Sequence, residues 1–261
     1  MKRKEAAAMA EIVLIPGFWL GAWAWEDVAR ALRTAGHRVH PVTLTGLAER
    51  AAEATPEVDV HTHTDDVVRV IEDGDLRDVV LVGHSGACVP VAGAADRIPD
   101  RIARLVYVDT GPLPAGMAVI DFNDPTTQEG WRERVAKEGD GWRLPPPPFD
   151  PATTPDDLAG LSGLSGLSID HLTRLRGLAT PQPFATVTGS LTHPATPADL
   201  PTTIITCTFT PDQVRTLAAT GNPAFAPMAR SDLRHLPTGH WPMLSRPADL
   251  AALLDEIAGT N

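Results

Sequence analysis

The chain has 261 residues, a formal net charge of −11 at pH 7 and 43% hydrophobic residues. This acidic balance disfavours binding to phosphate backbones and anionic lipid surfaces, so we expect no nucleic-acid or membrane partner. The two cysteines, Cys88 and Cys207, lie in or beside apolar runs, which predicts buried free thiols. No apolar run reaches the length of a membrane span, and the basic start lacks the apolar stretch of a signal peptide. We therefore expect a soluble, cytoplasmic protein.

Short apolar runs alternate with helical patterns in the first part of the chain. Ile12 to Ile15 is an apolar run of strand length, and apolar residues then recur at helical spacing: Trp25, Val28, Ala29 and Leu32. The alternation continues with strands at 39–42, 79–82 and 105–108 and with helices around 67–71 and 87–96. Continuous apolar strands are typical of a parallel sheet that is covered on both faces. The pattern predicts an α/β fold with a doubly wound, mostly parallel sheet.

The alternation stops between residues 112 and 200, where the chain is rich in proline and includes the stretches "LPPPPFDPATTP" and "LAGLSGLSGLS". Such composition is typical of linkers. The segment also contains several tryptophan and phenylalanine residues, however, and the sheet pattern resumes after it. We therefore predict a lid inserted over one edge of the sheet, with helices at 126–137 and 169–178.

Two strands and a helix complete the predicted core. The strands lie at 203–206 and 233–236, and the helix follows the start signal "SRPAD". We expect a single domain over residues 1–261, with its core at 11–111 and 201–261 and its lid at 112–200.

The stretch "DVVLVGHSGACVP" (78–90) ends a predicted strand with a hydroxyl between small residues. Ligands of open parallel sheets bind beyond the carboxyl ends of the strands. The pattern G-x-S-x-A around Ser85 matches the nucleophile elbow, a sharp turn whose strained backbone projects the serine hydroxyl. We predict Ser85 as a nucleophile and the N–H of Gly86, at the start of a helix, as an oxyanion donor.

A nucleophilic serine requires a base within hydrogen-bond reach. The stretch "LPTGHWPM" (236–243) follows the last predicted strand and places His240 on a loop at the same edge of the sheet, the best position among the nine histidines. Trp241 is the next residue, and Trp19 lies near the end of the first strand. Both tryptophans are candidates for the wall of an apolar substrate pocket.

Three stretches of this sequence resemble α/β-hydrolases, and more narrowly the compact plant-type esterase and hydroxynitrile-lyase branch: "LIPGFWLGAWAWEDVARALRTAGHRVHPVTLTGLA", "LVGHSGA" and "GHWPMLSRPADLAALL". The resemblance implies that the N–H of Phe18 is a second oxyanion donor. Pro16 stands where the family usually has a histidine, whose side chain would brace this loop. Trp241 stands where hydroxynitrile lyases of the branch resemble one another in a lysine, which argues against cyanohydrin lysis.

Two aspartates are candidates for the residue that orients His240. Asp109 comes directly after the strand at 105–108, whereas Asp212 follows "FTP" after the next strand. Strands of a sheet lie about 4.8 Å apart, so either carboxylate could reach the imidazole. The family more often resembles the second arrangement, and some members, such as the zearalenone-lactone hydrolases, look like the first. The local sequence favours Asp109, with Asp212 as the alternative.

The stretch "HTHTDD" (61–66) contains potential metal ligands. Thr64 before Asp65 and Asp66 is also a typical helix start with an acidic first turn, and we favour that interpretation and expect no metal.

The sequence thus predicts a serine hydrolase that cleaves an ester or lactone of a small apolar or aromatic molecule without a cofactor. Two alternatives stay open, namely a C–C bond hydrolase with the same triad and a small-molecule binding protein or receptor on a hydrolase fold. The oligomeric state is not predicted.

Overall fold

The computed structural model describes residues 9–151, 164–192 and 199–260. The strands within this part of the chain are β1 (Glu11–Ile15), β2 (Arg38–Pro41), β3 (Val79–His84), β4 (Ile102–Val108), β5 (Arg143–Leu144), β6 (Gln182–Pro183), β7 (Thr202–Thr206) and β8 (Asp232–His235). Six of them form one sheet in the order β2-β1-β3-β4-β7-β8. Every pairing of this sheet in the described residues is parallel. The predicted α/β fold with a mostly parallel sheet is confirmed.

The helices in the described residues are α1 (Glu26–Ala35), α2 (Val60–Asp73), α3 (Cys88–Arg97), α4 (Pro125–Glu138), α5 (Ile169–Leu178), α6 (Ala185–Thr188), α7 (Pro211–Ala219), α8 (Pro242–Ser245) and α9 (Pro247–Ala258). Short 3₁₀ turns occur at 22–25, 48–53, 85–87, 99–101, 119–122 and 228–230. None of the described helices combines the length and the apolar character that a membrane span requires.

The sheet separates two hydrophobic cores because successive side chains of a strand point to opposite faces. On β1, Ile12 and Leu14 pack with α1 and α9 on one face, while Val13 and Ile15 pack with α2 and α3 on the other. Residues 11–15 are buried throughout, which explains the continuous apolar run in the sequence. The central strands therefore end in a rigid edge that can hold side chains in place.

The chain between β4 and β7 forms an inserted segment, described at residues 112–151 and 164–192. The helices predicted at 126–137 and 169–178 are confirmed as α4 and α5. Strands β5 and β6 pair antiparallel, with Leu144 opposite Gln182. A third hydrophobic cluster joins this segment to the loop after β1, through Phe18, Trp19, Ile120, Trp131, Leu144 and Val187.

Helix α2 begins five residues before the start that the sequence predicts. Asp59, not Thr64, is the N-cap, and its carboxylate accepts from the N–H groups of His61 and Thr62 at 3.0 and 2.9 Å. The side chain of Thr62 completes a capping box, which the sequence analysis missed. Thr64 instead donates its hydroxyl to the carbonyl of Val60 inside the helix.

Three of the four potential metal ligands of this stretch are engaged by the protein, and the fourth, His61, is exposed. The ring of His63 is hydrogen-bonded to the carbonyl of Thr45. Asp65 forms an ion pair with Arg97. Asp66 accepts hydrogen bonds from Thr45 and Arg50. Residues 61–66 therefore anchor α2 to its surroundings. In the described residues, no cluster of three or more histidine, cysteine or acidic side chains is arranged to hold a metal ion.

The cap of α2 gives a prediction about stability. Asp59→Ala removes the acceptor for two orphan N–H groups and is expected to lower the free energy of unfolding by about 0.5–2 kcal/mol. Asp65→Ala, which removes an exposed ion pair with Arg97, is the control and should cost under about 1 kcal/mol. Denaturant unfolding measures both. Equal small losses for the two variants would mean that Asp59 does not cap the helix.

Candidate active site

Ser85 follows β3 directly and has a left-handed backbone with φ of 52°. This conformation is uncommon for a residue other than glycine and persists only where the surroundings hold it. The surroundings are close here. A Cβ on Gly86 would lie 2.3 Å from the ring of Phe18, and a Cβ on Gly17 would lie 2.9 Å from Cβ of Ser85. The small residues around the turn therefore let the loop after β1 pack directly on the serine.

The structure brings Ser85, His240 and Asp109 together in one hydrogen-bonded chain. The hydroxyl of Ser85 lies 2.9 Å from Nε2 of His240, and Nδ1 of His240 lies 2.7 Å from Oδ2 of Asp109. A carboxylate can only accept, so Nδ1 donates to Asp109 and Nε2 is left to accept from Ser85. The side chains of His240 and Asp109 are 7% and 3% exposed, so this chain is shielded from water.

Asp109 is fixed by neighbouring strands. It follows β4 at φ of 48°, and its own N–H donates to the carbonyl of Ile205 in β7. Its carboxylate accepts from the N–H groups of Cys207 and Thr208, both at 2.9 Å, and from the Thr208 hydroxyl at 3.0 Å. The loop after β7 therefore holds the carboxylate against His240.

These contacts set the ionisation of Asp109. Burial by itself would raise the pKa of the carboxyl. The hydrogen bond and positive charge of His240, together with the N–H groups of Thr208 and Cys207, lower the pKa further than burial raises it. The net pKa lies below its ordinary value, so Asp109 is a carboxylate at neutral pH.

His84, the last residue of β3, contacts His240 and helps to hold it in place. Its Nε2–H donates to the main-chain carbonyl of His240 at 2.7 Å, and the two imidazole rings lie 4.7 Å apart. Burial, reinforced by the nearby His240, lowers the pKa of His84 to about 3. His84 is therefore neutral across the physiological range and places no competing charge beside His240.

Asp212 lies outside this site. It is in the first turn of α7, its side chain is 93% exposed, and it pairs with Arg215 at 2.7 Å. Thr210 ends the loop as the N-cap of α7, where its side chain accepts from the N–H of Gln213. The structure thus places Asp109, and not the alternative Asp212, next to His240.

The two amides predicted as oxyanion donors lie beside Ser85. The ring of Phe18 covers Gly86, and both residues line the same cavity as the serine hydroxyl. In the described part of the chain, no protein atom accepts a hydrogen bond from the N–H of Phe18. That donor is available to a bound molecule.

Neither tryptophan predicted to bind substrate lines this cavity, so both assignments are corrected. Trp19 is 3% exposed, and its indole N–H donates to the carbonyl of Leu144 at 3.0 Å. Trp241 is 2% exposed and packs edge-to-face on Phe149 and on the ring of His240. Both indoles act in packing because other side chains cover them on every side.

The cavity beside Ser85 has a volume of about 100 Å³. The carboxylate and the imidazole that line it belong to Asp109 and His240, which bind each other. Most of the apolar lining comes from three sources, namely the loop after β1, the inserted segment and the chain between β7 and β8: Phe18, Leu113, Val119, Phe122, Trp131, Phe209, Val214, Phe225 and Met228. The cavity can therefore hold a small, uncharged, apolar group against the serine.

Sequence reasoning missed several residues that build this site. His84 and Thr208 lie next to recognised positions, and only their hydrogen bonds reveal what they do. Gln182 lies in the inserted segment, and its side chain accepts from the N–H of Trp19, 163 residues away along the chain. No local pattern marks a contact of that range.

The parallel sheet and the hydrogen-bonded serine, histidine and aspartate beyond its strand ends define an α/β hydrolase. The chain belongs to the alpha/beta hydrolase family, whose model matches residues 12–253. The fold is also similar to that of an extracellular α/β-hydrolase from a Paenibacillus species, with a TM-score of 0.78, 21% identity, and coverage of 97% of this chain and all of that one.

Curated relatives match parts of the chain. A carbendazim hydrolyzing esterase from Nocardioides sp. (strain SG-4G) is 48% identical over 101 residues, which are 39% of this chain and 42% of that protein. Rice esterase PIR7B is 30% identical over 139 residues, 52% of this chain and 49% of that protein. The chain thus spans half or less of the length of these two relatives. The resemblance to plant-type esterases that the sequence suggests is confirmed.

The buried carboxylate gives a prediction about pH. Because the folded-state pKa of Asp109 is lowered, its contribution to stability is complete above its unfolded pKa of about 4 and is lost as pH falls through the lower folded value. The difference in free energy of unfolding between wild type and Asp109→Asn should therefore shrink as the pH falls below about 4.

Asp212→Asn is the control for this comparison, since an exposed substitution changes stability by about 0.5 kcal/mol or less. Denaturant titrations at each pH measure the difference. A gap between wild type and Asp109→Asn that widens as the pH falls would contradict the lowered pKa.

Proposed function

We propose that this protein is a serine hydrolase that cleaves carboxylic esters, lactones included, through an acyl-enzyme, with Ser85 as nucleophile, His240 as base and Asp109 as the residue that orients the base. The observation that carries the proposal is the hydrogen-bonded chain from Asp109 through His240 to Ser85, beside a cavity. Relatives named as esterases support the same activity.

The chemistry follows from the positions of the protons. Nε2 of His240 takes the hydroxyl proton as Oγ of Ser85 forms a bond to the ester carbonyl carbon. The tetrahedral intermediate collapses, and the leaving alkoxide takes the proton from His240. Water then gives a proton to His240 and attacks the acyl carbon. The second tetrahedral intermediate collapses by breaking the bond to Oγ, which takes the proton from His240, so the acid leaves and the serine is restored. Asp109 stabilises the imidazolium that forms in each half-reaction.

The negative charge on the carbonyl oxygen needs donors that are already in place. The N–H groups of Phe18 and Gly86 flank Ser85 and are proposed to bind this oxyanion. The N–H of Gly86 lies at the start of α3, where the helix dipole also favours negative charge. No cofactor or metal is required by this scheme.

The cavity supports a substrate with a small, uncharged acyl group. A protein cavity of about 150 Å³ binds benzene, and the cavity here is about 100 Å³. We propose that a short alkyl or single-ring acyl group enters it. Residues 112–151 of the inserted segment contribute Leu113, Val119, Phe122 and Trp131 to its wall, which is the role expected of a lid.

A fluorophosphonate probe tests the nucleophile. We expect one adduct, on the peptide that carries Ser85, and none with Ser85→Ala. Asp109→Asn should lower kcat on p-nitrophenyl acetate on the order of 10³-fold or more, because the imidazole loses its orienting partner. Asp212→Asn is the matched control and should retain activity, since Asp212 pairs with Arg215 on the surface.

Peptide mass spectrometry detects the adduct, and steady-state kinetics measures kcat. Panels of esters and lactones, together with carbendazim, then test the substrate range. A folded wild-type protein that forms no adduct and hydrolyses no ester would overturn the hydrolase proposal and favour the binding-protein alternative. Loss of activity in Asp212→Asn, with Asp109→Asn active, would reverse the assignment of the acid.

Phe225 gives a prediction about substrate size. Its ring lies 5.3 Å from that of Phe122 and 5.5 Å from that of Phe209, so it closes the apolar wall between the inserted segment and the chain after β7. Phe225→Ala or the milder Phe225→Leu should shift the preference among p-nitrophenyl esters toward longer acyl chains. Each additional buried methylene contributes about 0.8 kcal/mol, or roughly fourfold in kcat/KM.

Phe184→Ala is the control for size, because Phe184 packs in the inserted segment without lining the cavity. Its ratio of kcat/KM for butyrate and acetate should match that of wild type. Folded Phe225 variants with an unchanged chain-length profile would show that the acyl group does not reach this wall.

A further inference from the structure

The loop that carries the oxyanion donor Phe18 contains a strained residue. Trp19 follows Phe18 directly and has φ of 67°. For a bulky side chain this left-handed conformation is an outlier, and other contacts must offset its cost. The core of the fold does not supply those contacts through hydrogen bonds.

The inserted segment binds every polar group of Trp19. The main-chain N–H donates to Oε1 of Gln182, the indole N–H donates to the carbonyl of Leu144, and the main-chain carbonyl accepts from the N–H of Thr180, each at 3.0 Å. Leu144 and Gln182 are register partners across β5 and β6. The small antiparallel pair therefore acts as a clamp on one residue of the loop.

Gln182 contributes its side chain to this clamp, and neighbouring groups fix the position of that side chain. It is 1% exposed, and its Nε2 donates to the hydroxyl of Thr186 at 2.7 Å, which in turn donates to the carbonyl of Pro183. A flipped amide would lose the bond to Trp19, because Nε2 cannot accept, and Thr186 would have to turn its proton from the carbonyl of Pro183 to Oε1. Its acceptor is therefore aimed permanently at the loop.

The bond to Trp19 restrains the neighbouring amide. The N–H of Trp19 belongs to the peptide plane that starts at the carbonyl carbon of Phe18, so a fixed plane limits the rotation of Phe18 and the direction of its own N–H. Pro16, at the other end of the loop, has no polar side chain that could do this. A preorganised donor is what stabilises an oxyanion without reorganisation during the reaction.

We propose that Gln182 is a positioning residue of the oxyanion hole: its carbonyl oxygen holds the amide of Trp19 and thereby directs the N–H of Phe18 at the substrate. This rests on the proposed hydrolase function. It assigns to the inserted segment a role in the chemical step as well as in covering the cavity. The role is exerted through the main chain, since Gln182 does not line the cavity beside Ser85.

The test compares three variants. Gln182→Met keeps the size of the side chain and removes the acceptor. Gln182→Glu keeps an acceptor for Trp19. Thr186→Val removes the partner of the other end of the amide and leaves the bond to Trp19 in place. A trifluoromethyl ketone probes the oxyanion hole directly, because its carbonyl carbon bonds to Oγ of Ser85, the hydroxyl proton passes to His240 and the carbonyl oxygen becomes an oxyanion.

We expect Gln182→Met to lower kcat on p-nitrophenyl acetate by about 10- to 100-fold, less than the 10²- to 10³-fold loss on deletion of an oxyanion donor, with KM within about threefold of wild type. Binding of the ketone should weaken by a similar factor. Gln182→Glu and Thr186→Val should keep kcat within a few-fold of wild type, whatever their effect on melting temperature.

Two outcomes would overturn the proposal. One is a kcat and ketone affinity of Gln182→Met no lower than those of Thr186→Val, which would reduce Gln182 to a purely structural contact. The other is a rise in KM with kcat unchanged, which would place its effect on substrate binding. Wild-type protein that neither hydrolyses esters nor binds the ketone would overturn the hydrolase function itself, which is a different and separable result.

Discussion

The buried negative charge of Asp109 is the constraint on which the site depends. A carboxylate that is 3% exposed is tolerated only when its oxygens are occupied by donors, and here the donors come from the loop after β7 and from the loop that carries His240. The same bonds that satisfy the charge therefore fix the spacing of three segments. The main-chain carbonyl of His240 accepts from Nε2–H of His84, and the bond from Nδ1 to Asp109 turns Nε2 of the imidazole toward Ser85.

A second constraint comes from strained backbone. Ser85, Asp109 and Trp19 all have positive φ values between 48° and 67°, and none of them is glycine. Each is held by a different set of contacts, respectively the close loop after β1, the strand pairing with β7 and the clamp from the inserted segment. Strain of this kind persists where packing determines the backbone more strongly than local preference does. The site is rigid because its strained residues are held from separate directions.

The limits of sequence reasoning follow from the range of these contacts. The strands and helices of the core were predictable because their signals are local, and Ser85 and His240 could be proposed because a short pattern marks each. The start of α2 was misplaced because the sequence offers two helix starts, the capping box of Asp59 and Thr62 and the N-cap candidate Thr64. Both signals are local, and the sequence alone gives no reason to prefer one. Trp19 was interpreted as a substrate contact because the sequence does not show that the inserted segment buries its side chain.

The inserted segment and the core cannot be treated as independent parts. One end of this segment forms the cavity wall through Phe122 and Trp131, and the other end grips Trp19 through Gln182 and Leu144. A change that repacks the wall to admit a different substrate thus acts on a segment that also restrains the oxyanion loop. The same segment thus influences both which substrates fit and how fast they react. A substitution at the wall that loosens α4 or β5 is therefore expected to lower kcat even for substrates that fit. A substitution of Phe225, which lies outside this segment, can widen the cavity without changing any residue of the clamp.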